Sequence, residues 1–238
     1  MFANIWTFTL KELKSFFNSP VAYVILTLFL LIGGWFFSAG LFLIGQADMR
    51  DLATVVFPLA FLFFIPAITM RLIAEEKKSG TLELLVTLPV RDVEIVVGKY
   101  LAALGLLASA LLLTFSYPLT LSILGDPDGG AVVGAYLGLI LLGGSYLAIG
   151  TFTSGLTHNQ IVAFITGFVI IFALFMLDKV LVFFPGPVAS VLEYLSVSYH
   201  FENVARGVVD TRDLIYFLSL IAGFLFLAVR SLEARRWK

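Results

Sequence analysis

Long uncharged apolar runs alternate with short charged stretches along the chain. The runs cover residues 15–47, 52–70, 100–125, 129–157, 159–177 and 214–229. A helix needs about 20 mostly apolar residues to cross a bilayer, within a range of roughly 17–25. The last run is short, but Asp213 and Arg230 flank it and can reach the two interfaces. The pattern predicts an all-α polytopic membrane protein with six transmembrane helices, in a single domain over residues 1–238.

The apolar stretch 181–192 differs from these six runs because it is too short to cross a bilayer. It also contains Pro185 and Pro187, which interrupt a helix. We therefore expect residues 180–211 to form a re-entrant or interfacial segment. The alternative is a plain structured loop.

Two short helices are expected within this segment, over residues 187–197 and 199–209, with a break near Ser198. Glu202 and Arg206 are four positions apart on the second helix and can form an ion pair.

The first 18 residues show a helical rather than a continuous apolar pattern. Their large apolar side chains fall within about 140° of a helical wheel, and they are Phe2, Ile5, Trp6, Leu10, Leu13, Phe16 and Phe17. This predicts an amphipathic helix over residues 1–18 that lies in the membrane interface. Ser19 and Pro20 then end it and begin the first span. The alternative is a frayed extension of that span.

Lysine and arginine are distributed unequally between the two sides that six spans define. The side with both termini carries eleven: Lys11, Lys14, Arg71, Lys77, Lys78, Arg91, Lys99, Arg230, Arg235, Arg236 and Lys238. The other side carries four, which are Arg50, Lys179, Arg206 and Arg212. Because basic residues are retained in the cytoplasm, we expect both termini to be cytoplasmic. The acidic residues lean the other way, with nine outside and seven inside.

Composition and the positions of ionisable residues narrow the function. Hydrophobic residues make up 60% of the chain and charged residues 13%, against roughly 25% charged in soluble domains. The chain has no cysteine, and its net charge of −1 gives no indication of nucleic-acid binding. No ionisable residue lies well inside a run, which argues against proton-coupled transport and against a charged channel filter. The sequence shows no cleaved signal peptide, paired metal ligands or nucleotide-binding loop.

One internal stretch, residues 71–99, holds ten of the 31 charged residues. Ser79 is a candidate helix cap, Glu83 lies in the first turn, and Pro89 ends the helix. Between them is an apolar body of leucine and valine, which is unusual for a solvated loop. The stretch therefore predicts a short helix that docks in a groove of a partner. The alternative is a loop that packs on its own helix bundle.

The spacing Gly134-x-x-x-Gly138 in the fourth run allows a close approach of two helices. Small residues are common in membrane spans, so the spacing is also compatible with no specific contact.

The charged stretch resembles the first cytoplasmic loop of type-II ABC exporter permeases. The residues that carry the resemblance are Glu75-Glu76, Gly80-Thr81, Glu83-Leu84-Leu85, Thr87-Leu88-Pro89 and Gly98-Lys99. The stretches "SYHFENVARGVVDTRDLIYFLSL" and "FFNSPVAYV" further resemble the permease branch associated with gliding-motility ABC complexes.

The resemblance implies that residues 71–99 are a cytoplasmic coupling loop docked on a separate ATPase subunit. Two permeases, identical or related, and two ATPases would form the complex, with the substrate path between the permeases. ATP and Mg would be bound by the ATPase partner, and this chain would bind no cofactor and have no catalytic residue. The expected ATPase-coupling residues are Glu75, Glu76, Gly80, Thr81, Glu83, Leu84, Leu85 and Pro89. The expected extracellular gate consists of Pro185, Pro187, His200, Glu202 and Arg206.

The function expected from this reasoning is that of a permease subunit of an ATP-driven exporter in the bacterial inner membrane. The alternative is a membrane scaffold that anchors an ATPase complex without moving a substrate.

Overall fold

The computed structural model describes residues 2–44, 49–82, 90–125, 128–180, 183, 186–208 and 210–234, and the regular elements in them are all helical. The helices are α1 (Phe2–Asn18), α2 (Pro20–Ala39), α3 (Phe57–Thr69), α4 (Ala74–Ser79), α5 (Asp92–Leu113), α6 (Ser116–Leu124), α7 (Gly129–Leu156), α8 (Gln160–Val180), α9 (Gly186–Leu195), α10 (Val197–Ala205) and α11 (Thr211–Glu233). Two π-helical turns, Gly40–Ile44 and Leu52–Val56, extend α2 and precede α3.

Among the residues that the structure describes, six helical stretches are long and apolar enough to cross a membrane. They are Pro20–Leu43, Leu52–Ser79, Asp92–Leu124, Gly129–Leu156, Gln160–Val180 and Thr211–Glu233. The predicted all-α, six-span architecture is therefore confirmed, and the chain is a multi-pass membrane protein.

Side chains fix the beginnings of several spans. The hydroxyl of Ser19 accepts a hydrogen bond from the amide of Val21 at 3.4 Å, and Pro20 opens α2 as predicted. Asp128 accepts from the amide of Gly130 at 3.0 Å and begins α7 in the same way. These caps satisfy amide groups that have no partner within their own helix.

Three spans form the interior of the bundle and three lie at its edge. In the spans that contain α3, α5 and α7, 61–67% of the residues in the most apolar window are buried, against 17% in those of α2, α8 and α11. Helix α7 is central, since it contacts α3, α5, α8, α10 and α11. The peripheral spans expose large apolar side chains, such as Trp35 and Phe226, as expected for surfaces in contact with lipid or another membrane chain.

The third span begins at Asp92, eight residues before the uncharged run that starts at residue 100. Its first turns include the buried charged residues Asp92, Glu94 and Lys99. The uncharged run did not define this helix because these charged groups are paired within the protein. A turn at Thr114 and Phe115 divides the span into α5 and α6.

The segment before the last span forms two short helices, α9 and α10, as predicted. The break lies at Ser196 rather than near Ser198, because the Ser196 hydroxyl accepts from the amide of Tyr199 at 3.4 Å and caps α10. Helix α10 packs closely on α7: a Cβ atom at Gly134 would lie 2.6 Å from the carbonyl oxygen of Val204. The close approach that the glycine spacing allows is therefore present at Gly134, and its partner is α10.

The bundle has two ends. The terminal end contains α1, α4, the start of α5 and the ends of α7 and α11, where the Ser231 hydroxyl donates to the carbonyl of Gly155 at 3.0 Å. The distal end contains the start of the second span, α9, α10 and the start of α11.

Candidate functional site

The structure describes half of the predicted coupling residues, and these lie at the terminal end. Glu75 and Glu76 lie in α4, which ends at Ser79 with Gly80 in the left-handed conformation (φ 73°). Thr81 is helical again and exposed. Ser79 was expected to cap the next helix, but it is the last residue of α4 and donates to the carbonyl of Glu76 at 3.3 Å. Glu83, Leu84, Leu85 and Pro89 lie outside the described residues.

Helix α4 is held against the end of α7 by a serine. The Ser154 hydroxyl accepts from the amides of Ile73 and Ala74 at 3.0 and 3.1 Å, and it donates to the carbonyl of Met70 at 3.2 Å. These contacts satisfy backbone groups where the second span changes from a turn to α4. The ammonium of Lys77 also donates to the carbonyl of Gly155. The base of the charged segment is therefore fixed to α7.

A buried lysine joins three elements of the terminal end. The ammonium of Lys99, whose side chain is 1% exposed, lies 2.8 Å from Glu76 of α4 and 3.1 Å from Glu12 of α1. A buried ammonium needs such partners because its desolvation is costly. Lys99 thus connects the end of the second span, the start of the third span and the N-terminal helix.

Helix α1 lies along the first turns of α5. The Thr9 hydroxyl donates to the carbonyl of Gly98 at 3.3 Å, and the Asn4 amide donates to Glu94 at 3.3 Å. A Cβ atom at Gly98 would lie 2.7 Å from the Cβ of Phe8, so the glycine permits the close contact. The predicted helix over residues 1–18 is confirmed, since α1 covers Phe2–Asn18. Its buried residues, Phe8 and Thr9, however, lie outside the predicted apolar face, and Trp6 is 63% exposed.

The carboxylates of α4 have partners within this chain. Glu75 accepts from the guanidinium of Arg71 at 2.7 and 3.1 Å, one helical turn earlier. Glu76 pairs with Lys99. Sequence reasoning included both glutamates and Lys99 in one motif but missed that Lys99 pairs with Glu76 and Glu12, and it missed Ser154. The sequence signal that could have indicated the buried ion pairs of Lys99 is the position of this lysine directly beside the apolar run of the third span.

At the distal end, His200 is buried and bound on both ring nitrogens. Its Nδ1 lies 2.6 Å from the Asp213 carboxylate, and its Nε2 donates to the carbonyl of Tyr194 at 2.9 Å. The ring stacks on Tyr216 with centroids 3.9 Å apart. His200 therefore joins α9, α10 and α11, and it is 1% exposed. Asp213 was not among the predicted site residues, and only the fold brings it to His200.

The other predicted gate residues are distributed differently. Glu202 and Arg206 pair at 3.2 Å on an exposed surface of α10, as their spacing predicts. Pro187 is the second residue of α9, and Pro185 lies outside the described residues. The structure therefore brings Glu202 and Arg206 together on one surface and places His200 in the packing beneath α9.

A cavity of about 610 Å³, called the distal cavity below, opens beside Glu202 and Arg206. Its described lining comes from the start of the second span, α7, α8 and α10, and comprises Arg50, Thr54, Val55, Pro58, Leu142, Phe175, Lys179, Ser198, Phe201, Glu202, Ala205 and Arg206. No group of metal-ligating side chains occurs among the residues that the structure describes.

The family follows from comparison with known proteins. A family model described as ABC-2 family transporter protein matches residues 46–230, about three quarters of the chain. The chain belongs to the ABC-2 transporter family. A search of curated proteins found no match. As an ABC-2 family protein with six apolar helices, the chain is a membrane permease subunit of an ABC transporter.

Proposed function

We propose that this ABC-2 permease is the membrane subunit of an ATP-driven type-II exporter in the bacterial inner membrane. ATP hydrolysis takes place on a separate ATPase subunit, which binds ATP and Mg. The termini and residues 71–99 face the cytoplasm, in keeping with the eleven basic residues on that side. The complex contains two permeases, identical or related, and two ATPases. The gliding-motility-associated branch is the proposed relationship within the family.

The observation that carries the proposal is the ion pair between Glu76 and Lys99 at 2.8 Å. These residues lie at the two bases of the segment that contains the leucines, one at the end of the second span and one at the start of the third. Because the bases are joined, a force on the leucines between them acts on both spans at once. Lys99 also pairs with the carboxylate of Glu12, which connects α1 to the same two spans.

The leucines of this segment supply the proposed contact with the ATPase. Full burial of one leucine side chain contributes roughly 1.5–3 kcal/mol, so Leu84 and Leu85 together can hold a partner without a covalent link. Glu75 and Glu76 form ion pairs within the chain. Other polar residues of the segment, Glu83 among them, therefore provide the specificity for the ATPase.

The experiment replaces Leu84 and Leu85 with Asp and purifies the complex from native membranes. The variant is expected to enter the membrane normally and to lose its ATPase subunit, since these side chains serve no span. Leu156→Asp is the matched control: Leu156 ends α7 at the same end of the bundle and is 57% exposed, and this variant should keep the ATPase. A double variant that retained a full complement of ATPase and normal transport would contradict the proposal. Failure to insert would indicate that the leucines pack on the permease itself.

The scaffold alternative is separated by a second measurement on the reconstituted complex. A transporter hydrolyses ATP faster when its transported molecule is present, whereas a scaffold shows a rate independent of any such molecule.

A further inference from the structure

His200 has an oxygen acceptor at each of its two ring nitrogens. Nε2 lies 2.9 Å from the backbone carbonyl of Tyr194, and Nδ1 lies 2.6 Å from the carboxylate of Asp213. A carbonyl oxygen can only accept, so Nε2 carries a hydrogen. The contact between Nδ1 and the carboxylate also needs a hydrogen, because two lone pairs at this distance would repel. The pair therefore holds one proton more than a neutral imidazole and an ionised carboxylate together.

The surroundings of the pair agree with this proton count. The side chains of His200 and Asp213 are 2% and 3% exposed. The second carboxylate oxygen of Asp213 is buried and accepts no hydrogen bond from the described residues. An ionised carboxylate in such a position is costly unless its charge is balanced. With the shared proton the pair has no net charge, either as imidazolium and carboxylate or as imidazole and carboxylic acid.

The other ionisable groups nearby are tyrosines, or they are charged residues that are exposed or paired. The rings of Tyr194, Tyr199 and Tyr216 have centroids 5.3, 5.4 and 3.9 Å from that of His200, and α7 contributes Tyr146, which interacts electrostatically with Tyr216. Tyrosine ordinarily keeps its proton below a pH of about 10. The charged residues on α8 to α11 at this end are Glu193, Asp210 and Arg212, which are exposed, and the pairs Glu202–Arg206 and Asp178–Lys179. Among the described residues, Asp213 is therefore the charged group that contacts His200 directly.

We propose that His200 and Asp213 form a proton-binding latch, which holds α9 and α10 on α11 while the proton is bound and releases them as the pH rises. Loss of the proton to solvent leaves the Nδ1 lone pair facing an ionised carboxylate, so attraction becomes repulsion. Since α10 lines the distal cavity with Ser198, Phe201 and Glu202, the latch makes one wall of the cavity sensitive to pH. Only the assignment of this pH to the outer compartment rests on the proposed function, and proton binding itself requires no ATPase.

The pH range follows from counting protons in the folded and unfolded chain. An unfolded imidazole loses its second proton above a pH of about 6.5, and an unfolded aspartate has lost its proton above about 4. Between these values the folded and unfolded pair hold equal numbers of protons, so the pair adds no pH dependence. Above about 6.5 the folded pair holds one proton more. Stability should then fall as the pH rises, by up to about tenfold in the unfolding equilibrium constant per pH unit.

The test compares the Tm of the full chain in detergent with that of Asp213→Asn, from about pH 5.5 to about pH 8.5. The amide of the variant can donate to an unprotonated Nδ1, so both hydrogen bonds persist with one proton fewer. Its stability should rise up to a pH of about 6.5 and stay constant above it, which reverses the dependence of the native pair. Both proteins carry His158→Gln, since His158 is the other histidine of the sequence.

The difference between the two Tm curves removes the titration of all other groups. The Tm of the native pair minus that of Asp213→Asn should fall by up to roughly 3–5 °C per pH unit, the shift that a tenfold change gives in a chain of this length. A difference that does not change with pH would overturn the proposal.

Cysteine labelling gives a second readout that needs no folded Asp213 variant. The chain has no cysteine, Val197 at the start of α10 is fully buried, and Ser190 of α9 is exposed. The maleimide labelling rate of Val197→Cys, divided by that of Ser190→Cys to remove the pH dependence of the thiol, should increase from about pH 6.5 to about pH 8.5. With Asp213→Asn added to both, the ratio should stay constant. A constant ratio with the native pair, or an equal rise with Asp213→Asn, would contradict the latch.

Discussion

Removing the ammonium of Lys99 tests whether the buried cluster joins α1, α4 and α5. Lys99→Met keeps most of the apolar stem and leaves Glu12 and Glu76 without their shared cation. Because both carboxylates lie within hydrogen-bond distance of one nitrogen, they would remain within about 6 Å of each other and repel. The variant therefore loses an attraction and gains a repulsion in the same place.

The structure sets the size of the effect. Removing one partner of a buried ion pair costs roughly 3–5 kcal/mol. Lys99 is 1% exposed, but the side chains of Glu12 and Glu76 are 16% and 18% exposed and can be partly hydrated. We therefore expect a loss near the lower limit, about 3 kcal/mol. For a chain of this length that corresponds to a fall of roughly 6–12 °C in Tm.

The assay is thermal unfolding of the purified permease in detergent, followed by circular dichroism at the helix signal. Lys78→Met is the matched control, since Lys78 is an exposed lysine of α4, and its Tm should stay near that of the wild type. A combined variant with Lys99→Met, Glu12→Gln and Glu76→Gln should recover most of the lost stability, because it leaves no unpaired charge.

Trypsin supplies a second readout of the same variant. If Lys99 holds α1 on α5, Lys99→Met should speed cleavage after Lys11 and Lys14, whereas Lys78→Met should not. A Lys99→Met protein with wild-type Tm and wild-type cleavage would refute the reasoning. A combined variant no more stable than the single one would show that the loss does not come from the unpaired carboxylates.

Two other predictions concern the distal end and the orientation. Gly134→Ala places a methyl group 2.6 Å from the carbonyl oxygen of Val204, so it should separate α10 from α7 and destabilise the protein by roughly 1–3 kcal/mol. Gly223→Ala is the control, since a Cβ atom there has no neighbour within 4 Å, and it should not lower the Tm. Equal Tm values for the two variants would contradict the close packing of α10 on α7. Single cysteines at the exposed positions Ser79 and Ser190 should react with impermeant maleimide only from the cytoplasmic and only from the outer side, respectively, and labelling of Ser79 from outside would reverse the proposed orientation.

Much of the fold follows from the alternation of apolar and charged stretches. Lipid cannot hydrogen-bond a backbone, so each apolar run of sufficient length forms a helix that satisfies its own polar groups. Six runs gave six spans, and the prolines of residues 180–211 kept that segment from being counted as a seventh. Ser19 and Pro20 marked a helix start because capping depends on adjacent residues alone.

The candidate site was only partly predictable, because a charged residue in the sequence of a membrane protein can lie either in a solvated loop or in an ion pair buried within the helix bundle. Asp92, Glu94 and Lys99 precede the uncharged run that starts at residue 100, and the sequence did not indicate that these charged residues would be buried. The structure includes them in α5, since Asn4 and Glu12 of α1 and Glu76 of α4 supply partners. A partner about 90 residues away along the chain leaves no periodic signal near the residue that it stabilises.

The sequence by itself determined that the chain lies in a lipid bilayer, how many spans it has and where helices begin, since these properties depend on local composition and nearby caps. Only the tertiary structure decided which charges are paired inside the protein and which basic residues share a cavity. His200 and Asp213 meet because α10 packs on the start of α11, and Arg50, Lys179 and Arg206 line one cavity because the start of the second span and the ends of α8 and α10 lie around it. Such meetings depend on how helices pack side by side, which the order of residues along one helix does not specify.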